Sequence, residues 1–331
     1  MSLFTNTYRI LLVSLVLSGL GSAQTSELHW YKGNTHSHTV NSDGDSTPLE
    51  MATWYKTNGF DFLFITDHEQ ITAVDELNAR LGDRGKFLVI QGMEISDSLN
   101  KKPYHVNGLG LREVVPPQHG VTVVSNVQKN VDAVRRAGGL AQINHPNFGW
   151  ALTATDIAQI KGATLLEIFS GHPTVNMFGG GGSPSAESMW DDVLTGGMKI
   201  FAVAVDDSHS LKRLGDPKAS TPGHGWVVVR ASELTPTAIL TALERGEFYS
   251  STGVDLDDYQ VTPSKIRVKI KEARLRKYTT VFIGSGGKIL QTSIELESVY
   301  RRKGNEKYVR VKIVDSNGKI AWTQPVFGKA R

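Results

Sequence analysis

The chain has 331 residues, of which 40% are hydrophobic and 21% charged, with a net charge of +3 and no cysteine. This composition is typical of a folded protein and excludes a disordered, fibrous or low-complexity chain. The absence of cysteine excludes disulfides, thiolate metal sites and cysteine nucleophiles, so any bound metal must be held by nitrogen and oxygen atoms. The length is sufficient for one large domain and a smaller module.

The N-terminal segment 1–23 has the layout of a secretory signal peptide. Arg9 is the only charged side chain before Glu27, and the short apolar run 10–17 is followed by small residues that end at Ala23. The run is well short of the roughly 20 apolar residues that a membrane-spanning helix needs. We therefore expect cleavage after Ala23 and a secreted or periplasmic protein without a membrane span.

Short apolar runs alternate with helical patterns along the next part of the chain. Buried strands are predicted over 60–66, 87–90, 140–143, 165–169, 200–205 and 226–229. A capping box at 47–50, with proline in the first helical position, predicts one helix, and the patterns over 126–137 and 236–245 predict two more, each followed by glycine. Repeated strand–helix units predict an α/β fold with a parallel sheet, open or closed into a barrel.

Charge divides the chain near residue 262. Residues 262–331 contain 17 Lys and Arg against 5 Asp and Glu, a net charge of +12, whereas the remainder carries 19 against 28, a net of −9. The segments 265–270 and 308–313 alternate basic and apolar residues, which is typical of half-solvated antiparallel strands. We predict a main domain over 24–261 and a small, basic, antiparallel β module over 262–331.

The basic module has three interpretations. Its charge leaves nucleic-acid binding open, but it lacks the clustered aromatic residues that stack on bases, so this partner is not favoured. The other interpretations are a solvated face and a face docked on the acidic domain.

Six of the ten histidines fall near the ends of the predicted strands, together with carboxylates. On a strand, His36 and His38 face the same way, and so do Asp207 and His209. A single histidine is more often structural than a metal ligand, but structural histidines are not expected to repeat this placement six times. Imidazoles and carboxylates gathered at the carboxyl ends of strands predict a metal site that suits Zn, Mn or Fe.

The order of these groups resembles the PHP (polymerase and histidinol phosphatase) superfamily. The matching motifs are His-x-His at 36–38, Ser-Asp-Gly at 42–44, Thr-Asp-His at 66–68, Glu94, His105, Asn-His-Pro at 144–146 and Asp-x-His at 207–209. The segments that are similar to its secreted branch, which is grouped with carbaryl-type hydrolases, are 167–182, 190–192, 206–209 and 246–250. The resemblance implies a distorted (β/α)7 barrel over about 30–250 with a centre of two or three metal ions.

The resemblance also assigns the ligands by motif. The first ion would be held by His36, His38, Glu94 and Asp207. The second ion would be held by Glu94, as a bridge, with His105 and His145. The third ion would be held by Asp43, His68 and His209, with Asp43 standing where some members have histidine. The candidate catalytic residues are Glu94, Asp207 and His209. Asp67 is expected to hydrogen bond near the ligands rather than to bind metal.

Such a centre predicts a hydrolase. A hydroxide shared by two cations is nucleophilic at neutral pH, because the cations lower its pKa and stabilise the transition-state oxygens. We expect a small-molecule substrate and favour a phosphoester, while a carbamate, ester or amide fits the same metals. A third interpretation, an envelope-binding module with a vestigial metal site, is disfavoured because no motif position is missing.

Two other segments are candidates for substrate contact. The glycine-rich loop at 179–182 is flexible and could close over the site as a lid. Lys212 and Arg213 could bind a substrate phosphate, although solvated side chains are the more common interpretation of surface cations. His119 and His224 are not expected to bind metal.

Overall fold

The computed structural model describes residues 27–82 and 85–328. The expected signal peptide, 1–23, therefore lies outside the described residues. In the described part of the chain, no helix combines the length and hydrophobicity needed to cross a membrane.

The fold is mixed α/β, with helices packed around a large sheet. The strands of the first part are β1 (His29–Asn34), β2 (Phe62–Ile65), β3 (Leu88–Leu99), β4 (Lys102–Leu109), β5 (Leu140–Ile143), β6 (Leu165–Ser170), β7 (Phe201–Val205), β8 (Trp226–Ala231) and β9 (Phe248–Ser251). The later strands are β10 (Leu256–Val261), β11 (Lys265–Ile270), β12 (Tyr278–Gly284), β13 (Lys288–Ser293), β14 (Glu297–Arg301), β15 (Tyr308–Asp315), β16 (Ile320–Thr323) and β17 (Val326–Phe327). The α-helices are α1 (Pro48–Thr57), α2 (Asp75–Leu81), α3 (Val123–Arg136), α4 (Ala154–Ile157), α5 (Ala186–Thr195) and α6 (Pro236–Arg245).

Capping residues fix the ends of the predicted helices. The capping box of α1 is confirmed: the Thr47 hydroxyl accepts from the Glu50 amide at 3.2 Å, and the Glu50 carboxylate accepts from the Thr47 amide at 2.7 Å. Helix α3 begins before the predicted 126–137 because Thr122 caps it. Helix α6 has the predicted bounds and ends at Gly246, whose φ of 71° is accessible to glycine.

The main sheet places seven strands in chain order, β1 to β7. Strands β1, β2 and β3 are parallel to one another, and so are β5, β6 and β7. Strand β4 is antiparallel to both of its neighbours. A parallel bridge between Ser37 and Ser208, just beyond β1 and β7, brings the two ends of this series together. The sequence patterns therefore predicted β2, β3, β5, β6 and β7 but not β4, and the sheet is mixed rather than parallel as expected.

The reversal at β4 has a local cause. Only Asn100 and Lys101 separate β3 from β4, and both have positive φ, 52° and 64°. A two-residue turn with both residues at positive φ matches the twist of a hairpin and leaves no room for a crossover helix. The predicted strand 87–90 thus continues to Leu99 and folds back as β4.

The C-terminal strands extend the main sheet and form a second, smaller one. Strand β16 pairs with β9, so β12, β13 and β15 continue the main sheet. Strands β10, β11 and β14 form an antiparallel three-stranded sheet. Because β10 precedes residue 262 and pairs with β11, the smaller sheet begins before the charge change. The boundary at 262 stays a prediction.

The contact between the C-terminal strands and the main domain is apolar and ionic. Tyr308 and Trp322 are buried in the same hydrophobic cluster as Trp190 of α5. Arg310 of β15 is only 1% exposed and its guanidinium contacts the Asp191 carboxylate of α5 at 2.6 Å. The prediction of a solvated face for 308–313 is therefore wrong at Arg310. This side chain instead docks on the main domain, because acidic groups on α5 cover it.

Candidate metal centre

The strand ends bring all nine predicted ligands together. The loops after β1, β2, β5 and β7 carry the histidines and aspartates, whereas Glu94 and His105 lie within the hairpin β3–β4. A cavity of about 170 Å³ is lined by Asp43, His68, Glu94, His105, His145, Asp207 and His209, together with Phe148, His172 and Val175. His36 and His38 are fully buried against Glu94. The predicted positions therefore form one site, and their roles as ligands remain a proposal.

The most deeply buried group is formed by His36, His38, Glu94 and Asp207. Their nitrogen and oxygen atoms lie close enough together for one ion. Nε2 of His36 lies 2.9 Å from Glu94 Oε2 and 3.3 Å from Asp207 Oδ1. Nε2 of His38 lies 3.0 Å and 3.3 Å from the same two oxygens. Two imidazole nitrogens and two carboxylates thus converge on one point, and this group coincides with the ligand set predicted for the first ion.

Two further groups adjoin this one. His68, Glu94 and His105 could hold an ion, and His105 Nδ1 lies 2.9 Å from Glu94 Oε1. His145, which was predicted for this position, places Nε2 3.3 Å from the same oxygen. The third group contains the predicted Asp43, His68 and His209, and His38 joins it. Glu94 belongs to two of the groups, which is the arrangement expected of a bridging carboxylate.

The backbone at Asp207 is held in an unusual conformation. Its φ is 51°, a left-handed value that non-glycine residues seldom adopt. Its amide donates to the His36 carbonyl at 3.0 Å, and its own carbonyl accepts hydrogen bonds from the Ser220 hydroxyl and from His209 Nδ1. These contacts fix the carboxylate of Asp207 against His36 and direct the other ring nitrogen of His209 toward Asp43.

Several residues to which the sequence analysis gave no role orient the candidate ligands. Glu167 of β6 is fully buried, and its Oε1 lies 2.6 Å from His36 Nδ1. The Asn144 amide donates to Glu94 Oε1 at 2.8 Å, and the Ser96 hydroxyl lies 2.5 Å from His68 Nδ1. A partner on one ring nitrogen fixes the orientation in which the other nitrogen faces the site. The sequence feature that could have identified Glu167 is the presence of a carboxylate inside the apolar run 165–169.

The Asp206 carboxylate organises the loop that leads into β8. It accepts hydrogen bonds from the amides of Gly223, His224 and Gly225 and from the Tyr55 hydroxyl, all between 2.7 and 2.9 Å. Burial raises the pKa of Asp206. This residue therefore supports the site without facing it.

Asp67, Lys212, Arg213, His119 and His224 do not line the cavity. Asp67 accepts hydrogen bonds from the Thr39 amide at 2.7 Å and the Thr72 hydroxyl at 2.6 Å, as a supporting residue would. Arg213 pairs with Asp216, and neither Lys212 nor Arg213 is among the cavity-lining residues. His119 binds Asp97 at 2.9 Å and His224 contacts Thr221, both away from the cavity lining.

The glycine-rich loop joins the wall of the cavity. Gly180 and Ser183 pair across its tip, and the Asn147 side chain donates to the carbonyls of Asn176 and Pro184 at 3.0 Å. Val175, Met177 and Ala186 at its base form a small cluster with Phe148. The loop is thus anchored beside the site, and its closure as a lid stays a prediction.

Electrostatics couples the histidines to the carboxylates. Burial opposes protonation of His36, but Asp207, Glu94 and Glu167 outweigh it and raise its pKa well above 6.5. Burial likewise opposes protonation of His38, but the nearby Asp207 and Glu94 carboxylates raise its pKa to about 9. Burial would raise the pKa of Glu94, but the histidines around it, His36 first, hold it well below 4.5. Protons on the histidines thus offset the charge of the carboxylates, and a metal cation bound at the same place would replace these protons.

The donor set fits divalent cations. Within the described residues, Nε2 of His38 is buried without a hydrogen-bond partner, although two carboxylate oxygens lie within 3.3 Å of it. A buried imidazole nitrogen without such a partner is costly unless it binds something. Mixed imidazole and carboxylate donors are those that Zn, Mn and Fe accept.

Comparison with solved structures relates this architecture to known proteins. The fold is similar to that of a two-domain protein from Bacteroides vulgatus described as containing a predicted PHP-like metal-dependent phosphoesterase. The TM-score is 0.52, with 14% identity over 87% of this chain and 90% of that one.

Two weaker similarities cover 54% of this chain and 87% of each neighbour. One neighbour is an amidohydrolase from Chromobacterium violaceum with bound sulfate and no metal (TM-score 0.40, 18% identity), and the other is a candidate metal-dependent phosphoesterase from Bifidobacterium adolescentis (TM-score 0.39, 15% identity). No family model matches the sequence, and no curated protein is similar to it. The chain therefore shares its fold with the Bacteroides protein over most of both lengths.

Proposed function

We propose that this protein is a metal-dependent hydrolase of the PHP superfamily that cleaves phosphoesters. The observation that carries the proposal is the position of Glu94, a buried carboxylate that belongs to two adjoining groups of candidate ligands. The description of the Bacteroides protein as containing a PHP-like phosphoesterase supports the same reaction class. We also propose that the series β1 to β7, drawn together by the Ser37–Ser208 bridge, corresponds to a distorted (β/α)7 barrel.

The nine predicted residues would hold two or three ions in the arrangement assigned from the sequence. Bound divalent cations would lower the pKa of a water molecule and offset negative charge on the reacting oxygens. Glu94 and Asp207 would supply the negative charge of the most buried position, and Glu167 keeps His36 oriented toward both of them. Phe148 and Val175 make one wall of the cavity apolar.

A second candidate function is hydrolysis of carbamates, esters or amides. Among the described residues, no lysine or arginine lines the cavity, and the Phe148 ring lies 5.2 Å from the His145 ring. A doubly charged phosphomonoester would thus find no lysine or arginine in that lining, whereas a diester or an uncharged aryl ester would contact an apolar wall. This observation favours substrates of low charge within either class.

The test is a substrate panel with one leaving group. Protein 24–331 is stripped with chelator, reloaded with Zn, Mn or Fe, and assayed on p-nitrophenyl phosphate, bis(p-nitrophenyl) phosphate, p-nitrophenyl acetate and a p-nitrophenyl carbamate. We expect about two or three bound ions per chain by elemental analysis, loss of hydrolysis in chelator and recovery with metal. Full activity in chelator by a protein without metal would sink the mechanism. Turnover of the acetate or carbamate without cleavage of either phosphoester would overturn the substrate class.

Export is a separate proposal. It is supported by the apolar run before Ala23 and by the absence of charged side chains around it other than Arg9. The mature protein from its native host should begin at Gln24 on N-terminal sequencing. Recovery of the full-length chain from the cytoplasm would contradict export and leave the proposed reaction untouched.

A further inference from the structure

His172 differs from the other histidines at the cavity. It lies just after β6 and lines the cavity, with its ring 5.4 Å from the His209 ring in an edge-to-face contact. It belongs to none of the candidate ligand groups, and within the described residues no carboxylate lies within ion-pair distance of it. Its neighbours His209 and His145, in contrast, have carboxylate oxygens within 3.4 Å.

The loop determines which nitrogen of His172 carries the proton. Its Nδ1 accepts a hydrogen bond from the Thr174 amide at 3.3 Å, and the Thr174 hydroxyl lies 3.1 Å from the same atom. An amide N–H needs an acceptor, so Nδ1 carries a lone pair and the proton of the neutral ring lies on Nε2. The amide of His172 itself donates to the Ser170 hydroxyl at 3.2 Å, and Gly171 binds the Val205 carbonyl, which fixes the backbone.

Because Nδ1 is occupied by the loop, Nε2 is the nitrogen available to a molecule in the cavity. An N–H donor beside a set of metal ligands is complementary to a negatively charged oxygen of the substrate, not to a cation. We propose that His172 is a substrate-binding residue whose Nε2–H donates a hydrogen bond to an oxygen of the group being cleaved, either a phosphoryl oxygen or an acyl oxygen. This inference rests on the proposed hydrolase function and identifies the group that recognises its oxyanion.

Three variants separate this role from metal binding and from folding. His172→Leu removes the donor, and His172→Gln keeps an N–H donor near the position of Nε2. His29→Leu makes the same change at an exposed histidine near the beginning of β1. All three should contain the same amount of metal as the wild type by elemental analysis. A loss of metal confined to the His172 variants would show that His172 is a ligand and would overturn the proposal.

The binding probe is inorganic phosphate, titrated calorimetrically into the metal-loaded protein. We expect His172→Leu to weaken phosphate binding roughly 10- to 100-fold, the range for a hydrogen bond to a charged group, with most of the affinity kept in His172→Gln and all of it in His29→Leu. Equal phosphate affinity in His172→Leu and the wild type would overturn the proposal. This measurement needs no turnover, so it tests His172 even if the substrate panel fails.

The tautomer provides a test that is read from the wild-type protein itself. Nitrogen-15 NMR of the chelator-treated wild type should show the His172 ring protonated on Nε2, with the resonance assigned by its absence from His172→Gln. A ring protonated on Nδ1 would contradict the donor geometry and the proposal. With the best substrate of the panel, kcat/KM should fall in His172→Leu and be largely restored in His172→Gln.

Discussion

The candidate metal centre and the contact between α5 and β15 both contain buried ionisable groups, but the carboxylates of the two regions have different partners. At the contact, Arg310 directs Nε and Nη2 to the two oxygens of Asp191 at 2.7 and 2.6 Å, and Lys312 contacts Glu187 at 2.6 Å. Each carboxylate there has a cationic partner within the chain. At the candidate metal centre, Glu94 and Asp207 are surrounded by histidines, which are cations only when protonated.

The difference shows what distinguishes a structural ion cluster from a binding site. Asp191 at the contact and Glu94 at the candidate metal centre are both buried, so burial of a carboxylate does not by itself identify the function. A carboxylate held by arginine is already neutralised and stabilises the contact only as long as its partner remains. A carboxylate held by imidazoles can exchange protons for a metal ion, because each ring nitrogen that loses its proton becomes a ligand.

The largest expected effect comes from Glu94→Gln. A neutral amide in place of the carboxylate shared by two ligand groups leaves two cations facing each other with less negative charge between them. Metal content and hydrolysis should fall further than in His105→Gln, and by more than the roughly 10- to 100-fold typical of residues that support ligands. Elemental analysis and kcat/KM provide the measurement.

The matched control is Glu244→Gln, which changes an exposed glutamate paired with Arg135 outside the site. It should leave metal content and activity at the wild-type level. If Glu94→Gln kept more metal than His105→Gln, the bridging position of Glu94 would be wrong.

Breaking the contact between α5 and β15 should lower the unfolding free energy and leave the metal content unchanged. Arg310→Met leaves the buried Asp191 without its guanidinium, whereas Glu187 keeps Lys312 as a partner. Removal of one partner of a buried pair typically costs about 3–5 kcal/mol of unfolding free energy. Urea denaturation measures the cost, and the metal content of the folded fraction should not change. Arg267→Met, which breaks an exposed ion pair with Glu297 in the three-stranded sheet, should lower the unfolding free energy only slightly. Loss of metal without loss of stability in Arg310→Met would contradict the separation of the two clusters.

The sequence predicted the elements of the fold better than their connections. Periodicity and capping residues located α6 and the strand β5 with their observed bounds, because these signals are local. The reversal into β4 depends on a two-residue turn at Asn100, inside a stretch with no strong turn motif. The burial of Arg310 depends on acids of α5 that are more than 100 positions away in the chain.

The candidate site was predictable as a set of positions but not as a set of contacts. The spacing of His36 and His38 and the order of the later motifs indicated nine residues, and the structure places all nine together. Glu167 was not assigned a role, because a single glutamate in an apolar run does not reveal which side chain it orients. His172 was not assigned a role either, because the feature that distinguishes it from the other histidines is the hydrogen bond that its Nδ1 accepts from its own loop.

A smaller effect is expected where only the orientation of a ligand is disturbed. Glu167→Gln keeps the shape of the side chain but removes the charge that holds His36 Nδ1 at 2.6 Å. Metal affinity should fall by roughly 10- to 100-fold, as for other residues that support metal ligands, with little change in unfolding free energy. Competition with a chromophoric chelator measures the affinity, and the exposed Glu233→Gln is the control. A wild-type affinity in Glu167→Gln would show that His36 needs no partner.

The smallest effect concerns Asp97, a buried carboxylate held mainly by uncharged donors rather than by a metal or an arginine. Burial would raise its pKa, but hydrogen bonds from Asn130 and from the amides of Ser98 and His119 lower it to about 2. Since the pKa is lower in the folded than in the unfolded chain, where it is about 3.9, the ionised group stabilises the fold above pH ~4. This contribution is lost as the pH falls through about 2.

Asp97→Asn should therefore lower the unfolding free energy by about 1–3 kcal/mol at neutral pH, because an amide group then faces N–H donors. The difference from the wild type should stay constant from neutral pH down to pH ~5 and shrink between pH ~4 and 2, where the wild-type carboxylate takes up its proton. Urea denaturation along a pH series measures it, and the exposed Asp132→Asn should show no such dependence. A difference that grew as the pH fell would mean that Asp97 is held protonated in the folded protein.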